Sequence, residues 1–231
     1  MTQPPLLLIV DNDRGDHALA NMALAGSGWQ LDHVYDAAGA VASAQNRRYA
    51  LILMGVRMPG LDGFATTKSI RRGWGASATA PILASCAPRQ IASPTALRTA
   101  GMDGHVAKPF APEALREAVE SWRPRNASTQ IARLAAIFGT AGIAHLLDGF
   151  RDLLENQLGL DDGAARYAGA HRLAGIAGTL GFPDLSRLWL AVSEGDDTAY
   201  AEARINARKA LVEIDANPIS AERSRGPSTS R

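Results

Sequence analysis

A chain of 231 residues has room for one large domain or two small ones, and with 46% apolar and 20% charged residues its composition is that of a folded globular protein. Its single cysteine, Cys86, excludes an internal disulfide and a cysteine-based zinc site, and no apolar run approaches the about 18 residues that a membrane span requires. The net charge of +1 is unevenly placed: residues 1–122 carry 11 Lys/Arg against 10 Asp/Glu, whereas 126–215 carry 8 against 12. Neither half has the one-sided basic density that phosphate backbones demand, which argues against nucleic acid as a partner. The start has no basic segment and meets acids at Asp11, so neither export nor membrane attachment is expected, and the setting is read as cytoplasmic.

The first half alternates short apolar runs with helical patterns. Leu6–Val10 is continuously apolar, as expected of a strand covered on both faces. Further strands are predicted at 30–34, 50–54, 81–84 and 104–107, with helices over 15–26, 37–47, 62–72, 93–100 and 111–122. Five βα units in that order predict a parallel, flavodoxin-like sheet covered by helices. Proline and small polar residues over 123–128 read as a linker, after which no strand-like run returns. Helices are predicted at 129–138, 141–158, 162–180, 184–193 and 197–214, and their short connections imply an antiparallel bundle over 129–215. The tail 216–231 lacks an apolar period and is expected to be structureless.

In a sheet of this type, chemistry gathers at the carboxyl ends of the strands. Asp11-Asn12-Asp13 follow the first strand, and Gly55 with Met58-Pro-Gly-Leu-Asp-Gly63 follows the third. Cys86 follows the fourth, and Lys108-Pro109-Phe110 the fifth, preceded by Gly101-Met-Asp-Gly104. This joint pattern resembles the receiver domain of bacterial response regulators over residues 6–122. The resemblance implies a pocket with two acids for magnesium, an aspartate that accepts a phosphoryl group, a Ser/Thr and a Lys. Here Asp11 stands at the first acid position and Lys108 at the lysine. Asn12 occupies the second acid position, Gly55 that of the acceptor and Cys86 that of the hydroxyl. Magnesium is held through carboxylates and phosphate oxygens, and glycine accepts nothing, so this half is expected to bind no metal and take no phosphoryl group. Asp62 reads as the cap of the third helix, Asp11 and Lys108 as a partly buried pair, and Cys86 as an inert buried thiol. His17, His33 and His105 read as scattered, and the resemblance implies a cis bond before Pro109.

The second half holds Ala170-His-Arg-Leu-Ala-Gly-Ile-Ala-Gly-Thr-Leu-Gly181, in which glycines inside a helix need a packing or access reason. At helical period, His171, Ala174, Gly175 and Gly178 fall on one small-residue face, while Leu173, Ile176, Ala177 and Leu180 point toward a core. His171 is thereby offered to a protein-sized partner, with Arg172, Ala174, Gly175 and Gly178 as the docking face. This segment resembles the histidine-containing phosphotransfer (HPt) domain, departing from it at Ala174, where the family has Lys, and at Ile176, where it has Ser. The resemblance implies that His171 carries a phosphoryl group exchanged with receiver domains of histidine kinases and response regulators. The magnesium ion then belongs to the partner. The chain is read as a phosphoryl carrier and not a turnover enzyme, its receiver-like half regulating or recruiting partners. The alternative is an adaptor without phosphotransfer. His145 reads as structural.

Overall fold

The computed structural model describes residues 4–58, 61–73, 75–87, 94–123, 129–160 and 163–221. The chain divides into two units, one within Gln3–Arg123 and the other chiefly Pro124–Arg231. Of the linker read over 123–128, only Arg123 is described, and it belongs to the first unit. Its guanidinium donates to the Ser27 carbonyl at 2.5 Å, pairs with Glu120 and lies 5.2 Å over the Trp29 ring.

In the first unit, strands β1 (Leu6–Val10), β2 (Gln30–Val34), β3 (Leu51–Gly55), β6 (Ile82–Cys86) and β7 (Gly104–Ala107) form a parallel sheet in the order β2-β1-β3-β6-β7. Between β3 and β6 stands an antiparallel ribbon that the sequence reading did not foresee, β4 (Arg57–Met58) with β5 (Leu61–Asp62). The helices are α1 (Arg14–Leu24), α2 (Ala37–Asn46), α3 (Gly63–Arg72), α4 (Pro94–Ala100) and α5 (Pro112–Glu120). Helix α1 packs on α5, α2 on α3 and α3 on α4. This strand order is that of a flavodoxin-like fold. All residues of β3 and β6 are buried, which accounts for their unbroken apolar character.

Strands β3 and β6 run one or two residues beyond their predicted ends, because the parallel ladder continues through Gly55↔Ser85 and Cys86↔Ala107. Gly55 and Cys86 therefore lie in strands and not after them. Helix α3 begins against this edge. A Cβ on Gly63 would stand 2.2 Å from the Gly55 carbonyl oxygen, so only glycine permits the approach. Arg71 fastens the far end of α3, donating to the Ala78, Ala80 and Gly101 carbonyls at 2.6–3.0 Å and pairing with the buried Asp103 at 3.1 Å.

The second unit contains α6 (Thr129–Phe138), α7 (Thr140–Gly159), α8 (Gly163–Leu180), α9 (Pro183–Ser193), α10 (Asp197–Asp215) and α11 (Pro218–Ala221). Helix α7 packs on α8, α8 on α9 and α9 on α10, which closes back on α7, while α6 and α11 both lie against α7. Leu147, Phe150, Leu154, Leu173, Ala177, Leu188, Trp189, Ala203 and Leu211 fill the space between them. Gly181, at φ +89°, ends α8 in the left-handed conformation that glycine adopts without cost. The expectation of a structureless tail from 216 fails for its first residues. Helix α11 continues the unit: buried Asn217 caps it, its Oδ1 accepting from the Ile219 amide at 3.0 Å, and Ile219 packs against the core. Residues 222–231 lie outside the described residues.

Candidate functional site

At the carboxyl edge of the receiver sheet, the crevice between β1 and β3 is where such folds place their ligands. Asp11 is buried there. Its Oδ1 accepts from the Asp13 amide at 3.1 Å, and its Oδ2 lies 2.5 Å from the Lys108 ammonium. Lys108 also meets Asp16 Oδ2 at 2.7 Å, so one ammonium is shared by two carboxylates. Burial alone would pull Lys108 down, but its hydrogen bonds to Asp11 and Asp16 and their charge hold it above its ordinary value. The peptide joining Lys108 to Pro109 is cis.

Asp16 escaped the sequence reading. Its signal was available: Asp13 caps α1 through the Gly15 amide at 2.7 Å, and an acid in the turn that follows faces the strand ends and favours the helix dipole. Asp62 caps α3 through the Ala65 amide at 2.6 Å, which commits that carboxylate away from the crevice. Asn12 is exposed, and Cys86 is buried, its thiol pushed up by desolvation against the opposing pull of Lys108. The acids of the crevice are thus Asp11 and Asp16, both already engaged by the Lys108 ammonium, and beside them stand only the neutral Asn12 and the bare Gly55, a donor set that does not fit magnesium.

Gly55 closes the arrangement. A Cβ there would lie 2.8 Å from Asp11 Oδ2 and 3.1 Å from the Val10 carbonyl oxygen, so the Asp11 carboxylate occupies the space into which a side chain at 55 would emerge. Behind it, His17 and His33 are not scattered as expected but touch. His17 Nε2 donates to the Asp11 carbonyl at 2.8 Å, and His17 Nδ1 shares one proton with His33 Nδ1, 2.7 Å away, while His33 Nε2 lies 3.1 Å from Asn21 Oδ1. The contact arises because the registered pair Ile9↔His33 brings β2 under the first turns of α1. Burial, followed by the neighbouring His17, holds His33 below its ordinary value, with Asp32 opposing.

In the second unit, His171 is exposed on α8 and borders an open groove of about 390 Å³ lined by Leu146 of α7 and by His171, Arg172, Gly175, Ile176 and Thr179. The small-residue face expected from the sequence is corrected at two positions. Ala174 is buried in the core, and Ile176, assigned to the core, is only partly covered. At about 100° per residue the exposed arc centres between His171 and Arg172, which carries Ala174 over its edge. The glycines also differ. Gly175 has nothing within 4 Å of where a Cβ would stand, whereas a Cβ on Gly178 would meet Ser186 Oγ of α9 at 3.1 Å. Gly175 therefore leaves open space beside His171, while Gly178 lets α9 approach. His145, read as structural, is exposed on α7.

Residues 7–120 match the family model described as the response regulator receiver domain. Sensor protein GacS of Pseudomonas syringae pv. syringae is 31% identical over 52% of this chain and 14% of that protein. Sensor histidine kinase GacS of Pseudomonas protegens is 26% identical over 93% of this chain and 26% of its own length, so the chain spans a small part of either relative. Among solved structures, the receiver domain of sensor histidine kinase PA1611 from Pseudomonas aeruginosa PAO1 is 30% identical over 51% of this chain and 96% of that chain, with a TM-score of 0.46. The N-terminal half of the chain is a response regulator receiver domain of two-component signalling.

Proposed function

We propose that this chain, a receiver domain followed by a helical unit, is a cytoplasmic phosphorelay intermediate that carries a phosphoryl group on His171. The observation that carries this reading is an exposed imidazole on α8 beside the open space at Gly175, within reach of a protein surface. Similarity to a sensor histidine kinase over 93% of the chain supports it, since that similarity extends beyond the receiver domain.

In the transfer, the lone pair of one His171 ring nitrogen attacks the phosphorus of an acyl phosphate on a partner receiver. The N–P bond forms as the P–O bond to the aspartate breaks, the electron pair leaves with the carboxylate, and the ring keeps its other N–H. A partner receiver supplies magnesium and the acidic pocket. The receiver domain in cis takes no phosphoryl group, because Gly55 offers no acceptor and Asp11 is committed to Lys108. It serves to recruit partner kinases and response regulators or to control their access.

The second reading, an adaptor that binds without transfer, is favoured by buried Ala174, which places no cation beside the imidazole. Incubation of the full chain with receiver domains loaded as acyl phosphates separates the two. The carrier reading expects an acid-labile label on His171, and the adaptor reading expects stable complexes and no label.

A further inference from the structure

A phosphoryl group on the exposed His171 brings about two negative charges to a helix surface, where a side chain able to donate to its oxygens would hold it in place. The groove restricts the choice. Leu146 and Ile176 are apolar, and Gly175 has no side chain. The Thr179 hydroxyl donates to the Gly175 carbonyl at 3.0 Å, which consumes its proton. Main-chain amides at mid-helix are committed to the carbonyls four residues earlier. Arg172 remains, exposed and with no ion pair or hydrogen bond to another described residue. Adjacent helical positions diverge by about 100°, a gap that short side chains do not bridge. The long arginine stem does, and Arg172 and His171 border the same groove.

From this elimination we infer that Arg172 is the phosphoryl-positioning residue of this site, its guanidinium turning toward the phosphoryl oxygens once His171 is loaded. The inference rests on the carrier reading above. It also gives buried Ala174 a consequence: the cation at this site comes from the position next to the histidine. A guanidinium donates through two parallel N–H groups where an ammonium acts as a point charge, so lysine substitutes for it only in part.

The test uses the full chain and potassium phosphoramidate, which phosphorylates a ring nitrogen as its own N–P bond breaks and ammonia leaves. The unsubstituted chain is expected to take an acid-labile label that His171→Gln lacks. In Arg172→Gln the label should be lost about two- to fivefold faster, the range that an exposed charge pair supports, and its phosphorus resonance should shift. Arg172→Lys should recover part of the lifetime, and raising salt from about 0.1 M to about 1 M should close the gap by screening, a response that a purely structural role would not give. A labelled Arg172→Gln chain with parental lifetime and resonance would overturn the inference and leave the carrier reading standing. No label on the unsubstituted chain would overturn the carrier reading, and the inference with it.

Discussion

Gly55→Ala tests whether the acceptor position of the receiver domain is an open vacancy or occupied space. Glycine in a strand costs about 0.5–1 kcal/mol relative to alanine, so with open space the substitution would stabilise the fold by that amount. The geometry points the other way. The new Cβ would lie 2.8 Å from Asp11 Oδ2 and 3.1 Å from the Val10 carbonyl oxygen. The carboxylate is held 2.5 Å from Lys108 and by the Asp13 amide, and the carbonyl is main chain of the central strand β1. Overpacking of this kind costs about 1–3 kcal/mol, leaving a net loss of up to about 2.5 kcal/mol once the propensity gain is subtracted, in place of a gain. Gly55→Asp should cost more, since a second carboxylate beside Asp11 adds like-charge repulsion. Urea unfolding of the full chain measures both. Asp11→Ala removes the obstructing atoms, so in that background Gly55→Ala should cost at least about 1 kcal/mol less, read as the coupling energy of a double-mutant cycle. A Gly55→Ala chain as stable as its parent, with no coupling to Asp11, would refute the account of a filled pocket.

At mid-helix Gly175→Ala meets nothing and should stabilise the second unit by about 0.5–1 kcal/mol, while slowing transfer from a protein partner more than labelling by a small phosphodonor. Arg71→Ala takes the guanidinium from the Asp103 carboxylate, leaving it the Ile82 amide at 2.9 Å, and frees the Ala78, Ala80 and Gly101 carbonyls; it should cost about 3 kcal/mol in a denaturation experiment, with Arg71→Lys recovering only part. His33 is held below 6.5 in the folded chain, so the unfolded chain binds the proton more readily and stability should fall as pH drops through the region below 6.5. His33→Gln should flatten that slope in urea midpoints. Lys108 is held above 10.5, so its contribution is complete below 10.5 and lost as pH rises through its folded value, an alkaline loss that Lys108→Met should remove.

The order of strands and helices was legible because burial on both faces leaves continuous apolar runs and helices leave a 3.6-residue period. Those signals are local. Neighbouring strands extended β3 and β6 through Gly55 and Cys86, and no local pattern announces that extension. The pairing of His17 with His33 depends on the register of β2 against β1, and although Asp16 was legible as a first-turn acid of α1, its meeting with Lys108 across 92 residues of chain is made only by the fold. On α8 the motif located His171, but the edge of its exposed arc was set by where α7 and α9 pack. Ala174 and Gly178, which share the histidine's face on a helical wheel, therefore serve the core and the α9 contact, and Arg172 takes a place in the groove.

The central claim is that His171 exchanges a phosphoryl group with receiver aspartates of other proteins. Its most direct measurement follows radiolabelled phosphoryl groups from a panel of receiver domains, each loaded as the acyl phosphate, onto the full chain and onto His171→Gln, an exposed substitution expected to change stability by less than about 0.5 kcal/mol. The account predicts an acid-labile, base-stable label on the parent chain, located at His171 by peptide mapping, with none on the variant and none within residues 1–122. Equal labelling of parent and variant, or an acyl phosphate in the receiver half, would contradict it.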